Sequence, residues 1–363
     1  MNTNRSINIP DTETSIRGAK DAFIEDNKTN IDLIKKRIKS PDLEVINLNI
    51  GKYTNTLVSI VYINSIAKKK LVDKIYQKLI KINIDGIIAS EQIKNILDGS
   101  SFILPTIQTS ERPDITSNAL LQGKVVIIVD NSPYVLIIPG LFYDYFKTPE
   151  DYYAKNINVS FTRIIRYMAF FIAMLTPAIY LSLTTYNFNM VPTELLINFA
   201  TLKSNIFIPS FLEAFIMLIA FEIIREADIR IPAKLGSSFS IVGALILGDV
   251  AVNANIIEPT MIIIIALTAI SSLPFNEVDI TNSLRLYRFI FMLGALFLGF
   301  YGVYIVFLVF LISISSKNIF NIPYFTPYSP LSLNSLKDSI VKIKSKIDKR
   351  NKYLSNNIVK ERR

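Results

Sequence analysis

Phe289 to Ile314 reads FIFMLGALFLGFYGVYIVFLVFLISI, 26 residues without one charged side chain. About 20 apolar residues suffice for a helix to cross the hydrocarbon of a bilayer, where no water satisfies free backbone groups and a helix must satisfy its own. The stretch therefore assigns the second half of the chain to a membrane and removes most readings as a soluble enzyme.

Working back from it, Ile164 to Thr184 is a second apolar stretch, preceded by Arg163 and Arg166 and interrupted by Thr176-Pro177. The basic flank favours a cytosolic start, and a proline inside a helix removes one backbone bond and kinks it. Between the two lie Phe207 to Ile224, apolar apart from Glu213 and Glu222; Ser237 to Ile257, apolar around Asp249; and Thr260 to Leu273, too short between Pro259 and Pro274 to cross upright. Asn187 to Ile206, with Pro192 and Glu194, reads as a loop. The expected count is four to six crossings. An even number is preferred because Lys337 to Arg363 holds ten basic and three acidic residues, which suits the cytosolic, anionic face; one route to it breaks the long run at Gly299 to Gly302.

Carboxylates inside such segments are costly and mark polar pathways or pairs. Glu222 has Arg225 at i+3 and Glu226 at i+4 on one helix face, whereas Glu213 lies nine residues before Glu222, about half a turn out of phase. Asp249 is either neutral in a dry site or at an aqueous boundary. Gly243, Ala244 and Gly248 are candidate helix-packing positions, the last two forming a small-xxx-small pair that lets helices approach.

The first 160 residues are polar by contrast and alternate helix and strand patterns. Thr29 to Lys39 and Lys68 to Ile82 space their apolar residues as helices; Leu57 to Ile63 and Ile84 to Ile88 read as strands; Glu91 to Leu97 is a short helix. Pro113 opens a helix running to Leu121, with Glu111, Arg112, Pro113 and Asp114 forming a cluster read either as a partner contact or as a helix cap with a surface ion pair. Val125 to Val129 and Tyr134 to Ile138 form a hairpin across Asp130-Asn131-Ser132-Pro133. The expected architecture is a soluble α/β or α+β domain over 1–160, an α-helical polytopic membrane domain over 161–318 and a basic cytosolic tail over 319–363.

The chain has no Cys, His or Trp and a net charge of +9. That excludes thiolate and imidazole catalysis, a disulfide framework and the usual zinc ligands. Neither GxGxxG nor GxxxxGK[ST] occurs, so nucleotide binding has no support. No recognition motif accompanies the basic charge, so nucleic acid is not an expected partner. No enzyme, metal or cofactor is expected.

The order of motifs resembles the A subunits of GerA-type spore germinant receptors over about residues 15 to 350. Arg17-Gly18, Phe23-Ile24-Glu25 and Leu33 to Lys39 begin it. Glu111-Arg112-Pro113-Asp114, Val129 to Pro133 and Thr148 to Tyr153 continue it through the soluble half. Pro192-Thr193-Glu194-Leu195-Leu196, Phe221 to Ala227, Arg230-Ile231-Pro232, Ile241-Val242-Gly243, Ala266 to Ile270 and Pro323-Tyr324 follow. The resemblance implies a cytosolic soluble domain, a membrane domain in the spore inner membrane, assembly with a transporter-like B subunit and a lipoprotein C subunit, and homo-oligomerisation into a nutrient-gated ion channel. On that view Glu222, Arg225, Glu226 and Asp249, then Glu194 and Glu213, are candidate permeation or gating residues. Arg17, Gly18 and the Glu111 to Asp114 cluster are candidate soluble-domain contacts. Similar proteins usually carry further residues before Arg17-Gly18, so the chain is expected to lack the first part of that domain, and they usually have Gln where this chain has Asp249. A lone secondary transporter would instead show internal repeats, of which none is evident; a non-conducting scaffold for partner subunits would tolerate neutral substitutions in the membrane.

Overall fold

A computed structural model describes residues 9–361 except 11, 16, 100–101, 205, 231–247, 249, 276, 333–335, 337, 343–346 and 357–358. The chain divides into two compact units. The first comprises Met1–Arg166, Phe275–Ile280 and Ser313–Arg363, the second Tyr167–Pro274 and Thr281–Ile312.

The first unit is built on a sheet of five strands, β1 (Leu43–Ile50), β2 (Thr56–Ile63), β3 (Gln108–Ser110), β4 (Val125–Val129) and β5 (Val135–Ile138). Their spatial order is β1-β2-β4-β5-β3, and every neighbouring pair is antiparallel. Because successive side chains leave opposite faces of a strand, Val125, Ile127 and Val129 of β4 join one core with Leu71, Ile75, Leu79, Ile93 and Leu97, while Val126 and Ile128 join another with Ile31, Ile34, Ile115 and Leu120. The first set of partners comes from α2 (Lys69–Ile80) and α3 (Ser90–Asp98), the second from α1 (Asn27–Arg37) and α4 (Pro113–Leu121). Of the two expected classes, the all-antiparallel sheet between two helical layers is the α+β one.

Two strands of this sheet, β1 and β3, escaped the pattern reading, and one expected strand is absent. β1 pairs along its full length with β2 but carries Glu44, Asn47 and Asn49, so its apolar alternation is interrupted. Ile84 to Ile88 is irregular: its Ile84 and Asp85 carbonyls accept from Lys52 N and Tyr53 N in the β1–β2 turn, and Ile87 N donates to Thr54 Oγ1, which leaves no ladder to form. The residues expected as a separate tail fall in this first unit. Leu354 is fully buried in the α2/α3 core, Asn356 N donates to Ile66 O, and Tyr324 is fully buried.

The second unit is helical. α5 (Asn156–Thr185) starts eight residues before the expected span and contains Pro177. The expected loop at 187–206 contains a helix instead, α6 (Thr193–Lys203), which follows Pro192 and has Glu194 in its first turn and Lys203 in its last, both favourable to the helix dipole. α7 (Ser210–Arg230) outlasts the expected stretch by six residues, and α8 (Pro259–Ile270) is about 18 Å long, short for a crossing. Most of Ser237 to Ile257 lies outside the described residues.

α9 (Val278–Ser316) contains the apolar stretch Phe289 to Ile314, and it is not one rod. At Gly299 the backbone takes φ 58°, ψ −137°, which ends one helical arm and starts another. The arms, 278–298 and 300–316, fold back on each other: Tyr287 meets Phe310 edge to face at 4.8 Å between ring centroids, and Gly294 touches Gly302. At 1.5 Å per residue the arms are about 31 and 25 Å long. Among the described residues, α5 and α9 are the helices both long and apolar enough to cross a membrane.

Candidate functional site

The helical unit gathers charge in two places. In the first, Glu222 on α7 faces α9: its Oε2 accepts from Arg285 Nη1 at 2.9 Å, and its Oε1 lies 3.9 Å from Arg288 Nη1. Arg225, one turn on along α7, stands 4.0 Å from the same carboxylate. Arg288 is 2% exposed and its Nε donates to the Ala173 carbonyl of α5 at 2.9 Å, so one carboxylate and three guanidinium groups tie α5, α7 and α9 together. One negative against three positive charges leaves a local excess of two, in surroundings where unpaired charge is costly. Glu222 Oε1 and Arg285 Nε are buried without a hydrogen bond among the described residues, so the knot is held by charge more than by saturated geometry.

The second place holds acid alone. Glu213, near the start of α7 and 1% exposed, accepts from Glu258 N at 2.5 Å, and Glu258, at the entrance to α8 and 2% exposed, accepts from Tyr180 Oη at 2.9 Å. The other oxygen of each carboxylate has no partner among the described residues.

The structure therefore separates residues that the sequence grouped. Glu226 is not ion-paired within the Glu222 knot; it pairs with Arg230 at 2.6 Å on an exposed face. Glu194 is exposed in the first turn of α6. Asp249, Gly243 and Ala244 lie outside the described residues. No described atom lies within 4 Å of where a Cβ on Gly248 would stand. Arg285, Arg288 and Glu258 are the members of these clusters that the sequence does not single out, and Tyr180, legible as an interfacial aromatic near the end of the first span, is instead a buried donor to Glu258. The two arginines stand just before the apolar run, and their i, i+3 spacing places them on one face; nothing in local spacing joins Glu258 to Glu213, 45 residues away.

The soluble-domain cluster is an internal clamp. Arg112 is 1% exposed, not on the surface. Its guanidinium forks onto Asp114 (Nε–Oδ1 3.0 Å, Nη2–Oδ2 2.7 Å) and donates to Glu13 O, Ser15 Oγ and Ala19 O at 2.9–3.0 Å. Glu111 accepts from Thr12 N at 2.6 Å and Glu13 N at 3.0 Å, while Glu13 accepts from Ser110 Oγ at 2.6 Å and Glu111 N at 3.1 Å. Pro113 occupies the first turn of α4. Gly18 packs on the Tyr153 ring and Arg17 is exposed, so the partner of the cluster is the chain's own segment 12–19. Burial pushes the Glu13 carboxyl up to about 7, against the lowering effect of its hydrogen bonds to Ser110 and Glu111. Asp114 is driven up by burial but held below the usual carboxylate range by Arg112 and Tyr153.

Strand β3 links this clamp to the foot of α9. Ser110 binds Glu13, and next to it Thr109 N donates to Glu277, the residue capping α9, at 2.7 Å. Asp279, in the first turn of α9, pairs with Lys94 of α3. Burial holds the Glu277 carboxyl well above its ordinary value.

Comparison with known proteins places these features in context. A family model described as Bacillus/Clostridium GerA spore germination protein matches residues 1–353. Spore germination protein KA of Bacillus subtilis (strain 168) is 39% identical over 340 residues, which are 93% of this chain and 62% of that protein. The uncharacterized membrane protein YfkQ of the same organism is 35% identical over 339 residues, 93% of this chain and 66% of its own length. The chain thus spans less than two thirds of either relative. Among solved structures, the N-terminal domain of the A subunit of the Bacillus megaterium spore germinant receptor GerK3 is 36% identical, with 33% of this chain and 97% of that chain covered and a TM-score of 0.28.

Proposed function

Since the chain belongs to the Bacillus/Clostridium GerA family of spore germination proteins, we propose that it acts as the A subunit of a nutrient germinant receptor. Its helical unit lies in the spore inner membrane and its sheet domain in the cytosol. It works there as a homo-oligomer beside a transporter-like B subunit and a lipoprotein C subunit, and its helices contribute to a nutrient-gated passage for ions. The apolar α5 and the two arms of α9 support the membrane placement, as does the similarity to the membrane protein YfkQ.

The observation that carries the gating role is the Glu222 carboxylate shared by Arg225, Arg285 and Arg288. A ligand shifts a two-state equilibrium only through contacts that differ between the states. A charge-held contact between α7 and α9 is such a difference, because breaking it frees α7 from the hairpin while leaving each helix intact. Glu213 and Glu258 supply acidic oxygens along the same unit. Asp249 and Glu194 belong to the proposal as polar positions of the permeation region.

Spores producing Glu222→Gln or Arg285→Gln in place of the natural subunit test the reading. Assembly with the partner subunits is expected to persist while nutrient-triggered ion release changes in rate or threshold. Release identical to that of the natural subunit in rate, threshold and ion selectivity would remove the knot from gating; normal germination with every neutral substitution in the helical unit would favour a non-conducting scaffold.

A further inference from the structure

We propose that the lysine face of α2, together with the hairpin that follows α9, is a docking surface for anionic phospholipid headgroups. Residues 68–81 carry Lys68, Lys69, Lys70, Lys74, Lys78 and Lys81 against one acid, Asp73. Leu71, Val72, Ile75 and Leu79 turn the apolar face of the helix into the core, which leaves Lys74, Gln77, Lys78 and Lys81, at i, i+3, i+4 and i+7, on a single outer face. These four line a groove with Phe320 and Asn321.

The other wall of the groove explains why the occupant is a membrane surface. Phe320 and Asn321 are the tip of a two-stranded hairpin formed by β6 (Asn318–Ile319) and β7 (Ile322–Pro323), both tip residues having positive φ. The hairpin begins two residues after α9 ends at Ser316, so Phe320 lies no more than about 14 Å of chain from the last residue of the apolar helix. Where that helix leaves the hydrocarbon, Phe320 and the groove are within reach of the headgroups. Lys78 holds the two walls together, since its Nζ donates to Leu97 O at 2.9 Å and stands 4.7 Å above the Phe320 ring. Lys74 and Lys81 make no hydrogen bond or ion pair among the described residues, and their ammonium groups are available to phosphate. Lys317, the first residue after α9, adds a further positive charge at the exit. Lysines next to an anionic leaflet attract its lipids with a strength that falls within a Debye length, so reach is the deciding quantity.

The inference rests on the membrane placement of α9, and the test separates the two. The full chain is reconstituted into nanodiscs of phosphatidylcholine alone and of phosphatidylcholine with phosphatidylglycerol, and amide exchange is followed across α2 and the β6–β7 hairpin. Exchange at 74–81 is expected to slow at least threefold in the anionic discs. A K74Q/K81Q variant, whose two substituted side chains lie outside the buried face of α2, is expected to lose that difference while β4 stays equally protected. Equal exchange of the natural chain in both discs, with α9 protected in each, overturns the docking surface and leaves the membrane placement standing. Failure of α9 to gain protection in either disc overturns both.

Discussion

Gly302 lies so close to Gly294 that a Cβ on Gly302 would stand 1.9 Å from the Gly294 carbonyl oxygen, and one on Gly294 would stand 3.0 Å from the Gly302 carbonyl oxygen. The two arms of α9 therefore touch backbone to backbone three residues past the bend, and the obstacle is a carbonyl, which has no rotamer by which to move aside. Gly302→Ala is expected to force the arms apart and to lower stability by about 1–3 kcal/mol, the usual cost of overpacking, or more. Gly248→Ala, where no described atom lies within 4 Å, is the control. Thermal unfolding of the purified variants measures both, and a Gly302→Ala protein as stable as the control would contradict the hairpin.

The Glu222 knot and the Glu226 pair give a second, internally controlled prediction. Glu222→Gln keeps the shape of the side chain but leaves three guanidinium groups facing one another, so a loss of about 1–3 kcal/mol is expected, the range for removing a partner from a charged, partly buried contact. Glu226→Gln breaks an ion pair whose side chains are 58% and 77% exposed, which is worth little after solvent screening. A double-mutant cycle of Glu222→Gln with Arg285→Gln should show coupling of at least about 0.5 kcal/mol, and one of Glu226→Gln with Arg230→Gln none above error.

What was legible and what was not follows from the range of the signals. The helices α1 and α2 announced themselves because each repeats apolar residues on one face, α4 because Pro113 and Asp114 suit a first turn, and β4 because an unbroken apolar run suits a strand buried on both sides. α9 misled for a related reason. Its uniform apolarity satisfies a straight rod and a folded hairpin equally, and the deciding feature is one glycine with positive φ among three in the run. Pro192 made α6 look like a loop, although proline stands comfortably just before or within a first turn. Arg112 looked like a surface charge because burial of a guanidinium depends on acceptors at residues 13, 15 and 19, almost a hundred positions earlier, which no local window contains.

Stability should depend on pH through Glu13. Its carboxyl titrates near 7 in the folded chain against an ordinary 4.5, so between those values the fold holds a proton that the unfolded chain has released. The contribution is complete below about pH 4.5 and is lost as the pH rises through 7; the clamp on segment 12–19 is thus tighter at pH 5 than at pH 8. Glu277, raised by burial as well, acts in the same direction. Glu13→Gln should flatten the dependence of the unfolding midpoint between pH 5 and 8. An unchanged slope would show that Glu13 is not the group responsible.

Arg112 offers the sharpest test of what holds that segment. Its planar fork meets Asp114 with two nitrogens and still reaches three acceptors in residues 13–19, whereas an ammonium on a flexible stem has three donors and no fork. Arg112→Lys therefore keeps the charge beside Asp114 but is expected to release the amino-terminal segment, while the sheet, whose cores lie elsewhere, stays folded. Limited trypsin digestion reads the difference, because Arg17 lies within the clamped segment and Lys20 directly after it. Cleavage there is expected to accelerate at least tenfold in Arg112→Lys with the far-ultraviolet circular dichroism unchanged. Equal cleavage rates would mean that the Glu111 and Glu13 contacts alone hold the segment in place.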